Sequence, residues 1–120
     1  MLKPKGHFVE IDIGEKDCQQ IKEIFDRGQN YGKWNRSRVE KITTQATKVG
    51  FQIIFAQDYF YNEYYSSYQD LDIFLQGVPI FEDFNPKKDR ELLKKYVDQF
   101  STNNGIQLER HRVVSVLVKP

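Results

Sequence analysis

Positions 49 to 86 contain no lysine or arginine, although the 120-residue chain has 18 of them. Six acids fall in that window, Asp58, Glu63, Asp70, Asp72, Glu82 and Asp83, so it carries −6. The 18 bases and 11 acids outside it give +7, and the net charge of +1 conceals a polarised molecule. Polarisation of this kind bears on the choice of partner rather than on the fold.

Other absences narrow the reading further. Cys18 is the only cysteine, so no intrachain disulfide can form, and an intracellular, cytoplasmic setting is the expectation. No apolar run is long enough to cross a membrane, and the short stretch after Gly6 is broken by Glu10 and Asp12, so a soluble protein with no membrane partner is expected. There is no glycine-rich phosphate loop; Gly14 and Gly28 read as the flank and the stop of a helix. The two histidines, His7 and His111, lie far apart without cysteine or carboxylate at ligand spacing, which points away from metal and other cofactors. Cys18 falls on an apolar helical face and reads as a buried small hydrophobe rather than a nucleophile.

What is present looks globular. Hydrophobic content of 39% with 29% charged residues fits one domain over residues 1–120. Val9, Ile11 and Ile13 alternate, predicting a strand with that face buried. Cys18, Ile21, Ile24 and Phe25 share a helical face ending near Gly28. Ser37 and Glu40 form a capping-box pattern before Val39, Ile42, Ala46 and Val49, predicting a second helix, with a hairpin competing because of Thr43, Thr44 and Thr47. Positions 51–56 read as an interior strand, and 59–69 fit either period. Positions 71–75 and 78–81 read as short strands, Asn85-Pro86 as the start of a helix over Leu92, Leu93, Tyr96, Val97 and Phe100, and 106–118 as a long final strand. The sum is an α/β (α+β) fold: a single mixed sheet of about four to five strands with about three helices, in the order β-α-α-β-β-α-β.

Three stretches suggest chemistry. The first is Asp70-Leu71-Asp72-Ile73-Phe74-Leu75. On a strand the two carboxylates would share a face about 7 Å apart, a spacing suited to a divalent cation. This run resembles the metal-binding strand of minimal nucleotidyltransferases, with a helix and a strand before it and a helix and a strand after it. The resemblance implies that Asp70 and Asp72 hold Mg²⁺ against nucleotide phosphates. The chain departs from that pattern in two places. Ala56-Gln57 stands where the family has Gly-Ser, and Glu109 is the only acid on the last strand.

The second stretch is basic: Arg27, Lys33, Arg36, Arg38, Lys41 and Lys48, interleaved with Tyr31 and Trp34. Lys33, Trp34, Arg36, Arg38 and Lys41 are the candidate contacts of a nucleic-acid-binding track. The third is aromatic and acidic. The window holds 11 of the chain's 17 aromatic residues, and five tyrosines crowd positions 59–68. Tyr59, Tyr61, Tyr64, Tyr65 and Tyr68, with Asp58, Glu63, Asp70 and Asp72, have the composition of a recognition surface, whose partner would be a basic protein. The favoured expectation is therefore a small non-enzymatic binding or regulatory module of inhibitor, immunity or antitoxin type, docking through this surface on a basic protein such as a nucleic-acid-processing enzyme. A minimal or degenerate nucleotidyltransferase and a nucleic-acid binder are the alternatives. Self-association of acidic on basic faces would give a homo-oligomer.

Overall fold

The computed structural model describes residues 6–32 and 37–119. Its elements run β1 (His7–Ile13), α1 (Gln19–Phe25), α2 (Arg38–Lys48), β2 (Gln52–Tyr65), α3 (Tyr68–Gly77), α4 (Arg90–Phe100), β3 (Ser101–Thr102) and β4 (Gly105–Val118). The four strands form one antiparallel sheet in the order β1-β4-β2, with β3 on β4. The α+β class and the single sheet agree with the sequence reading. The pairing is antiparallel rather than mixed, and a fourth helix stands where a strand was predicted.

That helix is α3. Positions 71–75 read as a strand from a short apolar run, but Ser67 accepts a hydrogen bond from the Asp70 amide at 3.2 Å and caps a helix. Leu71 and Leu75, one turn apart, are then its buried positions. A second departure lies at Asn85-Pro86. Asn85 Oδ1 accepts the amides of Lys87 and Lys88, but regular helix begins only at Arg90, because residues 86–89 form turns. At α2 the N-cap half of the capping box forms, with Ser37 Oγ accepting the Glu40 amide, and the helix prevails over the hairpin. The ambiguous 59–69 stretch resolves into the second half of β2 followed by the start of α3.

Contacts group the chain into two compact units, with β2 and β4 contributing to both. Unit 1 takes the described residues up to Asp17, then 37–60 and 111–119; unit 2 takes the described residues of 18–33 and all of 61–110. In unit 2 a continuous apolar core gathers Cys18, Ile21, Phe25, Leu71, Leu75, Leu93, Tyr96 and Leu108. Phe25 stacks on Phe81 at 4.5 Å, and the Tyr96 hydroxyl donates to the Gln107 carbonyl at 2.5 Å. Gly105 sits at φ +119°, where a Cβ would come within 2.8 Å of the Tyr65 carbonyl oxygen. Only glycine fits that approach.

Unit 1 is built differently. Its buried apolar side chains are Ile42, Ala46, Val113 and Leu117. The burial of β1 is opposite to the predicted pattern: Val9, Ile11 and Ile13 are the exposed positions, while Glu10 and Asp12 are half-buried. The register explains why. Asp12 lies opposite Val113 and Glu10 opposite Ser115, both fully buried on β4, and Arg38 at the start of α2 reaches Asp12 at 2.6 Å. Apolar alternation marked the two faces of this strand correctly but not which one the chain covers.

Candidate functional site

In unit 2 the tyrosines divide into two groups. Tyr61 and Tyr64 are 44% and 45% exposed on β2. Tyr65 turns inward, its ring 5.1 Å from Phe74, and its hydroxyl donates to Glu63 Oε1 at 3.3 Å. Burial, and then the Glu63 charge, push its phenol well above the ordinary range. Tyr68 is half-buried in the first turn of α3, and its phenol is raised by burial and then by Asp72. Tyr68 and Asp72 line a cleft of about 490 Å³ together with Pro86, Arg90 and Lys94.

The acids are less available than their number suggests. Glu63 accepts from Arg110 Nη1 at 2.5 Å, and this guanidinium lies 5.8 Å from the Phe74 ring. Asp70 takes the Ser66 hydroxyl, and Asp72 takes the Gln76 amide at 3.0 Å. Because these two aspartates lie on a helix, they point about 200° apart around its axis and share no face. The strand geometry behind the Mg²⁺ reading is therefore absent, and the resemblance to nucleotidyltransferases loses the feature that carried it.

The basic track is likewise not assembled as expected. Lys33, Trp34 and Arg36 lie outside the described residues. Arg38 pairs with Asp12 in unit 1, whereas Lys41 is exposed on α2. In unit 2, Arg27 forks between Asp83 at 3.1 Å and Asp89 at 2.7 Å over the rings of Phe25 and Phe81. It acts there as a clamp within the unit rather than as a phosphate contact.

Sequence reasoning set His111 aside as a solvated or strand-edge histidine, and the structure corrects this. His111 is fully buried, its ring stacked on Phe60 at 4.2 Å, with Nε2 2.6 Å from Asp58 Oδ1. Its Nδ1 accepts the Lys16 amide at 3.1 Å and lies 3.9 Å from Glu15 Oε2. Its backbone amide donates to Asp17 Oδ1, which also takes Arg112 Nη1, each at 2.9 Å. Glu15 in turn accepts the Arg38 amide at the start of α2. The ring packs directly on the backbone of Gly14, where a Cβ would lie 2.2 Å from Nδ1.

Glu15, Asp58 and His111 place their ligand atoms within 4.8 Å of one another, a metal-like grouping. The hydrogen bonds assign it another role. Nδ1 accepts the Lys16 amide, which leaves Nε2 to face Asp58 as the donor. Glu15 and Asp58 then lie at different ring nitrogens, whose lone pairs diverge, and the three groups do not converge on one ion. The cluster fastens together the loop after β1, β2, β4 and the start of α2. A signal for it was present in the run Glu109-Arg110-His111-Arg112, too charged for the interior of an apolar strand. Asp58 drew notice only as surface charge.

Among the described residues no helix is long and apolar enough to cross a membrane. No protein-family model matches the chain, and no curated protein matches it in sequence.

Proposed function

We propose that the protein is a non-enzymatic binding module that docks through unit 2 on a basic protein surface. Tyr61 and Tyr64 are the anchors, and Asp70, exposed in the first turn of α3, is the charged fringe. The observation supporting this reading is the exposure of Tyr61 and Tyr64, which alternate to the two faces of β2, on a sheet edge bonded only to β4 among the described strands. Tyrosine offers large contact area for little lost entropy, and the absence of bases from positions 49–86 removes repulsion toward a cationic partner. Glu63 is engaged by Arg110, so affinity rests on the aromatic contacts more than on charge. A cleft built to receive phosphates has the matching chemistry, with carboxylates taking the phosphate positions, as an inhibitor of a nucleic-acid-processing enzyme would require.

The test is affinity capture from nuclease-treated extract with the wild type and with Tyr61→Ala/Tyr64→Ala. A basic protein retained by the wild type and lost from the double variant, at unchanged circular dichroism, is the expected outcome. Equal retention by both rejects the reading.

A further inference from the structure

We infer that the outer edge of β1, open among the described residues, seats an additional β-strand from a different protein, apolar at alternate positions and carrying a base opposite Glu10. This surface belongs to unit 1 alone and is separate from the tyrosines of unit 2.

β1 bonds β4 along one side and has no strand on the other among the described residues. A strand meant to end a sheet is normally blunted by lysine, proline or a bulge. His7–Ile13 has no lysine or proline, and its register runs unbroken from His7 opposite Val118 to Ile13 opposite Arg112. Only one of its faces is an apolar stripe toward solvent, while the other carries Phe8 beside the half-buried Glu10 and Asp12. Val9 and Ile11 are 61% and 68% exposed, Ile13 joins them, and Phe8 is exposed on the other face. Val116 and Val114, opposite Val9 and Ile11, continue the first face and are only half-buried. An unblunted edge strand with an exposed apolar stripe is a ready template for pairing with another strand.

Charge selects among the occupants. Asp12 is paired with Arg38, whereas Glu10 has no ion pair among the described residues. Two copies of this chain pairing β1 antiparallel about its midpoint would set Glu10 against Glu10, which is unfavourable. A strand from a different protein, with lysine or arginine at that place, meets no such conflict and covers the backbone edge as well.

The experiment titrates the whole protein with a short synthetic peptide of alternating valine and threonine with one central lysine. Binding is read by amide hydrogen exchange and by sedimentation of the protein alone. The expected result is a monomeric protein whose β1 amides gain protection when the peptide is added, while the Tyr61–Tyr65 amides do not. Glu10→Lys should weaken binding up to about fivefold, and a peptide with glutamate in place of lysine should restore it. Ile11→Asp should remove binding while circular dichroism stays unchanged. Unchanged exchange in β1 overturns the inference. A dimer of the protein alone, with β1 already protected, overturns it in favour of a second copy.

Discussion

Unit 2 closes on itself, whereas unit 1 is closed by charge and left open by shape. The first buries a run of leucine, isoleucine and aromatic side chains from α1, α3, α4 and the early part of β4. The second has four small or medium apolar side chains buried, and its connectivity is polar: His111 with Asp58, Asp17 with Arg112, Arg38 with Asp12. Along β4 the buried positions are even up to Arg110 and odd from His111 onward, so one strand follows two patterns, one in each unit. The contrast shows that the size of an apolar core and the number of well-made hydrogen bonds are separate properties. A unit can have the second and still present Val9 and Ile11 to water.

The comparison breaks most readily at its apolar end. Leu93 is wholly buried in the unit 2 core, and Leu93→Ala should cost about 2–5 kcal/mol in denaturant unfolding, the range for a buried leucine that leaves a cavity. A loss below about 0.5 kcal/mol, within the range of a surface substitution, would mean that this core is not what closes the unit. Gly14→Ala tests the polar end. The added methyl collides with the His111 ring, and a loss of about 1–3 kcal/mol is expected. Its signature should be local: the His111 ring signals and the amides of the Asp58 strand shift in NMR spectra, while the Leu93 methyl signals stay in place.

A smaller effect separates the units by pH. Burial raises the Tyr96 and Tyr65 phenols, both in unit 2. In the unfolded chain tyrosine ionises at about pH 10, so above that pH the unfolded state has lost protons that the folded state keeps. Their contribution is complete below the unfolded value and falls as pH rises beyond it. Stability should therefore decline on the alkaline side, and Tyr96→Phe should make the decline shallower. An unchanged slope would show that Tyr96 ionises alike in both states.

The class of fold, the long last strand, the capped α2 and the burial of Cys18 were all legible in the sequence. They rest on local rules: period, caps and the fate of a lone small hydrophobe. Among the features that were not, three are instructive. The strand assigned to Leu71–Leu75 failed because a short apolar run has no period of its own, and the cap at Ser67 decided the outcome. The exposed face of β1 was missed because alternation separates two faces without saying which is covered. The His111 cluster joins residues 15, 58 and 111, brought together by strand pairing and a loop that no spacing rule anticipates. The tyrosine stretch was half legible: composition marked it as a surface, but only the fold separates exposed Tyr61 and Tyr64 from the inward Tyr65.

Native-state hydrogen exchange along β4 tests the contrast most directly, because one strand reports on both units. Ile106 and Leu108 sit in the closed core, and Val113 and Leu117 in the open unit. The account predicts that the amides of 106–110 exchange only through the largest opening, while those of 113–117 exchange through a cheaper local one. Equal opening energies, or greater protection at 113–117, would contradict it.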